Sequence, residues 1–126
     1  MGNEMNKLAV VVTSPPHSNL TNTAIKYIEA ALQSNINVIG VFFYQDGVLN
    51  ASSQISIPSD EFQTVSAWDK LFRVYKLPLH LCISAAQKRG LTDDETENAN
   101  INPSFTVSGL GELVELSNLA DRLIQF

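Results

Sequence analysis

One cysteine, Cys82, stands in a chain of 126 residues. No disulfide can close within the chain, and dithiol chemistry of the thioredoxin kind is excluded for the monomer. No apolar run approaches the roughly 18 residues needed to cross a bilayer, so no membrane partner is expected. The opening "MGNEMNKLAVVVTS" has an apolar run too short for a secretory signal, and no small-residue cleavage site follows it. Asn6 stands where a myristoylation signal wants Ser or Thr. These absences make the cytoplasm the expected compartment.

Basic clusters are missing as well. The net charge is −5, and the densest cationic spot is the pair Lys88 and Arg89. Strong direct binding to nucleic acid needs a basic surface that displaces counterions, so any service to a nucleic-acid pathway is expected to run through other proteins. A phosphate-cradling glycine loop is also absent. "TSPPHSN", after the first apolar run, has no glycine, and "GLGELVEL" offers Gly109 and Gly111 without a third. Close helix packing or a tight turn is the better explanation of those two. "DDETE" bunches four carboxylates but lacks the glycine and alternation of a calcium loop, so it reads as a solvated acidic loop. No Cys/His set has zinc spacing. Neither a metal nor a cofactor is expected.

What is present is an alternation of two periodicities. The 44% hydrophobic and 17% charged composition suits one globular domain over residues 1–126, with residues 1–6 expected as a flexible tail. "KLAVVVTS" and "INVIGVFFY" are β-branched and aromatic runs without helical period, and both read as buried parallel strands. Between them Ala24, Ile25, Ile28, Ala31 and Leu32 recur at helical spacing, with Thr21 or Thr23 as the expected cap and Asn35 at the end. A long loop is expected over "QDGVLNASSQISIPS". A second helix is expected from Asp60, its apolar stripe formed by Phe62, Val65, Trp68, Phe72 and Tyr75. That stripe reads as core for Phe62 and Phe72, whereas Trp68 is a candidate for a subunit contact.

"LHLCI" gives a third strand and "SAAQKRG" a short helix ended by Gly90. "LTDDETENANINPS" is a polar connection, and "FTVSG" a fourth strand. Ser108 is the expected cap of a helix through "GLGELVELSNLA", and "DRLIQF" closes the chain as a strand. The fold class is therefore α/β, with a mostly parallel sheet of about five strands and helices on both faces.

In such folds sites form beyond the carboxyl ends of the strands, and Cys82 lies at one. Free amides at the start of the following helix, near Ser84 to Ala86, favour thiolate over thiol if they face the sulfur. Lys88 and Arg89, a turn or two away, are expected to reach solvent. The alternative is an inert, buried cysteine at a strand end. His80 shares a strand face with Cys82, but neighbours at i and i+2 are not aimed at each other, so an edge or core histidine is the expectation. His17 is expected as a rim residue. The aromatics of "FFYQDGV" are candidates for an interface or for a pocket beside the cysteine.

Together, "VVTSPP", "VFFYQDGVLNA", "SDEF" with its following Trp, "LCISAAQKRG", "DETE", "FTVSGLGEL" and "DRLIQF" resemble the DsrE/TusD family of sulfur-carrier proteins. The likeness runs from about Lys7 to the last residue. It implies a DsrE-like three-layer α/β/α fold, and it places the family's active cysteine on Cys82 as a persulfide carrier. It further implies a TusA-like sulfur donor, a TusE-like acceptor, and TusB-like and TusC-like subunits in a heterohexamer. The sulfur then ends in the 2-thio group of the wobble uridine of transfer RNA. Two other outcomes stay open at this point: DsrE-like sulfur transfer in sulfur oxidation, and a non-catalytic scaffold subunit with a buried cysteine.

Overall fold

The computed structural model describes residues 6–126; apart from its last residue, the tail expected at residues 1–6 lies outside them. Strands β1 (Lys7–Val12), β2 (Asn37–Phe43), β3 (Leu79–Cys82), β4 (Thr106–Ser108) and β5 (Arg122–Gln125) form one sheet in the order β4-β3-β2-β1-β5. Every pairing is parallel, so the expected α/β architecture holds. Parallel neighbours need crossovers. These contain α1 (Asn19–Gln33), α2 (Thr64–Tyr75), α3 (Ile83–Gln87) and α4 (Leu110–Leu119).

The core is continuous across β1, β2 and β3. Val10, Val12, Val41, Phe43, Leu79 and Leu81 alternate onto one face and are buried, under α1 and α2. Each fully buried side chain of this size contributes about 1.5–3 kcal/mol relative to an exposed one. On the other face α4 lies over β1 and β2, and Leu116 sits above Gly40, where an added Cβ would come within 3.1 Å of it.

Several local details differ from expectation, each for a tertiary reason. The cap of α1 is Ser18, whose side chain accepts from the Leu20 amide. Thr21 is turned inward: its hydroxyl donates to the Pro15 carbonyl at 2.7 Å and lies 2.6 Å from that of Ser14. Thr23 instead bonds back to the Asn19 carbonyl. Asn35, with φ of 63°, ends the helix as expected.

Helix α2 starts at Thr64 rather than Asp60, and its buried face is Thr64, Trp68 and Leu71. Phe62 precedes the helix and so does not share its phase, and Phe72 is one step, about 100°, beyond the buried Leu71. Phe62, Phe72 and Tyr75 are consequently more than a third exposed, and the core assignment of Phe62 and Phe72 fails. Trp68, a candidate for a subunit contact, is instead wholly buried, edge-on to Phe43 at 4.8 Å.

The expected long loop begins as a 3₁₀ segment, Gln45–Ala51. It is pressed against the end of β1 so closely that a Cβ on Gly47 would lie 1.9 Å from the Val12 carbonyl oxygen. Only glycine permits that approach. By contrast, a Cβ at Gly109 or Gly111 would meet nothing within 4 Å, so neither is there for close packing. Gly109, not Ser108, occupies the cap position of α4; the Ser108 hydroxyl is engaged with His80.

Candidate functional site

Strand β3 delivers Cys82 to the carboxyl edge of the sheet, and the chain turns there directly into α3. The residue is 1% exposed. With that small exposed fraction it borders a cavity of about 260 Å³. Tyr44 and Gln45, at the end of β2, form one wall of that cavity. Ser84, Ala85, Lys88 and Arg89 supply the α3 side, and Leu110, the first residue of α4, closes the rim.

The two cations of the cavity differ. Lys88 is exposed, as expected. Arg89 is not free in solvent: it donates from Nε to Asp46 at 3.0 Å and from Nη1 to the Ala85 carbonyl at 3.0 Å. That pairing ties α3 to the 3₁₀ segment and fixes the cavity's outer wall. Gln45 holds the opposite wall with a left-handed backbone, φ of 52°, a conformation uncommon in residues other than glycine.

A buried amide supports the same wall from beneath. Asn50 donates to the carbonyls of Ser14 (3.0 Å) and Gly47 (2.8 Å) and accepts from Trp68 Nε1 (2.9 Å). All three partners are satisfied inside the core, where leaving one unmade costs about 1–3 kcal/mol. Sequence reading missed this residue. Its one signal is an asparagine within an otherwise apolar turn, which taken alone reads as a loop residue.

His80 is half-buried on the same face as Cys82, but its ring is used elsewhere. Nδ1 lies 3.2 Å from Ser108 Oγ, and Nε2 lies 3.6 Å from a Glu112 carboxylate oxygen. It therefore joins β3 to β4 and α4, as an edge histidine would, and forms no pair with the thiol. His17 is exposed and lines a different hollow, beside Asn19, Asn22 and Glu61. Of the "FFY" aromatics only Tyr44 reaches the cavity; Phe43 packs against Trp68 and Phe105 in the core.

The acidic loop is locally organised. Asp94 caps a short 3₁₀ turn, Glu95–Glu97, by accepting from the Thr96 hydroxyl (2.7 Å) and amide (2.9 Å). The hydroxyl bond, then the amide bond, holds its carboxyl below the ordinary carboxylate range. Among the described residues no helix is long and apolar enough to cross a membrane.

An all-parallel five-stranded sheet with a lone cysteine at the carboxyl end of its third strand defines the class: an α/β domain of DsrE-like architecture. The chain belongs to the DsrE/DsrF-like family, which matches residues 6–126. It is similar to the protein named Sulfurtransferase TusD of Salmonella dublin, with 38% identity covering 95% of this chain and 99% of the relative. The Sulfurtransferase TusD of Salmonella paratyphi B is 39% identical over the same shares. Sulfur transfer is the activity class this likeness supports. Among solved structures, the YchN protein from E. coli superposes with a TM-score of 0.78 at 16% identity, covering 98% of this chain and all of that one. A protein of unknown function from Methanobacterium thermoautotrophicum gives 0.66 at 11%, covering 96% and 99%. At such identities these two bear on the fold alone.

Proposed function

We propose that this chain is a sulfur-relay protein that carries sulfane sulfur as a persulfide on Cys82. The observation that carries the reading is the placement of the chain's one cysteine at a strand end, where it lines a cavity in a family whose relatives include sulfurtransferases. In the first step the Cys82 thiolate attacks the outer sulfur of a donor's persulfide. A sulfur–sulfur bond forms on Cys82, the donor's sulfur–sulfur bond breaks, and the donor leaves as a thiolate. In the second step an acceptor's thiolate takes the outer sulfur, and Cys82 departs as thiolate. Neither step is a net oxidation, and neither uses a second cysteine of this chain.

In the full proposal the donor is TusA-like and the acceptor TusE-like. The chain works in the cytoplasm beside TusB-like and TusC-like subunits in a heterohexamer, and the sulfur serves 2-thiolation of the wobble uridine of transfer RNA. The net charge of −5 agrees with contacts to proteins rather than to RNA.

The 1% exposure of Cys82 favours one competing reading, a scaffold subunit whose cysteine is inert. Intact-mass measurement after incubation with a cysteine desulfurase and a TusA-like protein separates the two. The expected result is a gain of one sulfur atom on the native chain and none on Cys82→Ser. Equal loading of the variant would refute the carrier role, as would no loading of the native chain with the donor shown to be charged.

A further inference from the structure

We infer that the opening beside Cys82 selects an acidic segment of the protein that exchanges sulfur there. The inference rests on the relay reading and names the chemistry of its partner. Charge distribution is the argument. The chain carries 13 Asp and Glu against 8 Lys and Arg, so an average patch of its surface is negative. The cavity at Cys82 is the reverse: it is lined by Lys88 and Arg89 and by no carboxylate. These are also the chain's one pair of adjacent cations.

Two carboxylates of the adjoining segments, Asp46 and Glu112, each have a partner. Asp46 is bound to Arg89, which spends the guanidinium's charge locally. Glu112, on the first turn of α4, faces His80. Lys88 is exposed and forms no ion pair among the described residues, so of the two cations lining the cavity it is the one whose charge has no paired carboxylate. Leu110 at the rim is an apolar side chain, 48% exposed. A low-dielectric wall of this kind lengthens the reach of a charge beside it. A protein segment with Asp or Glu beside its reactive sulfur meets this mouth with complementary charge. A segment with Lys or Arg there meets repulsion, which discriminates against the wrong protein thiol.

The test uses the full-length chain and three synthetic peptides of equal length. In each peptide one cysteine is a mixed disulfide with 2-thiopyridine, and its flanking residues are Asp, Asn or Lys. The Cys82 thiolate attacks the peptide sulfur, a new disulfide forms, and 2-thiopyridone leaves and is read by absorbance. The expected order is Asp, then Asn, then Lys, with about 3–10-fold between the extremes at low salt, narrowing at about 0.5 M salt. Lys88→Glu levels or inverts the order. Ratios among peptides carry the result, because this substitution also changes the charge near the thiol. Equal rates in the native chain, or an unchanged order in Lys88→Glu, overturn the inference and leave the relay reading standing. Dipyridyl disulfide, which is uncharged, serves as the separate probe of access: failure to react with the folded chain, while the denatured chain reacts, overturns both.

Discussion

On one face of the sheet Val10, Val12, Val41, Phe43, Leu79 and Leu81 lie buried beneath α1 and α2, with Trp68 wedged against Phe43. On the other face α4 covers Gly40 and His80 yet leaves Leu110, Val114 and Leu119 about half exposed. The sheet is the same; the covering differs. Strand alternation assigns Cys82, two residues after His80, to the second face. Cys82 is itself buried, but it borders a cavity whose rim includes Leu110 of α4, while the frame that positions it is built on the first face. The larger apolar core and the proposed sulfur site lie on opposite sides of one sheet.

This contrast can be broken at several points. The largest effect is expected from Trp68→Ala on the closed face. It removes a fully buried indole and the donor to Asn50, and should cost about 3–5 kcal/mol in urea unfolding. A cost below about 1 kcal/mol would mean that the closed face does not anchor the fold. Gly47→Ala comes next. Its Cβ meets the Val12 carbonyl, and the overpacking should cost about 1–3 kcal/mol. The same variant should alter the rate at which Cys82 reacts with dipyridyl disulfide, since the displaced segment is the cavity wall.

His80→Gln belongs to the open face. Losing the contacts to Ser108 and Glu112 should cost about 0.5–1.5 kcal/mol and leave sulfur loading of Cys82 intact by intact-mass measurement; loss of loading at full stability would show that the histidine serves the thiol. Val114→Ser, at an exposed position on α4, should stay within about 0.5 kcal/mol of the parent.

The smallest effect is expected far from either face, at Asp94. Because its carboxyl is held low by Thr96, the folded state favours its ionised form. That stabilisation is present above the unfolded value of about 3.9 and is lost as pH falls through the lower folded value. The stability difference between the parent and Asp94→Asn, followed by urea titration, should be level from pH 7 to 5 and change only in the acid limb.

The inner strands β1 and β2 are legible because a strand buried on both faces must be apolar, and "KLAVVV" and "NVIGVFF" carry that mark without help from neighbours, whereas the edge strands β4 and β5 are exposed or half-buried and are read from their place in the alternation. Helix ends were less legible. Ser18, Thr21 and Thr23 are all chemically fit to cap α1, and what decides among them is that Thr21 is drawn to Ser14 and Pro15, a contact made only once β1 and α1 are packed. The aromatic stripe of α2 misled for a related reason. Phe72 and Tyr75 have helical spacing with Trp68, but the phase of the buried face is set by where Trp68 meets Phe43, and Leu71 takes the inner position. At the site, the position of Cys82 at a strand end was legible. The cavity was legible only in part: the "FFYQDGV" segment was a candidate for it and supplies Tyr44 and Gln45, but the closure by Arg89 and Leu110 was not, since sequence distance keeps those walls apart. The engagement of His80 with Glu112 was hidden in the same way.

The seating of Gly47 against the Val12 carbonyl has a consequence for how anything enters. The 3₁₀ segment rests on the sheet backbone itself, is threaded by the Asn50 amide and is pinned at its outer end by Asp46 to Arg89. Such a rim has no hinge. If Cys82 carries sulfur as proposed, the polypeptide that meets it would have to bring its own flexibility, offering its sulfur on a pliant arm to a stationary aperture.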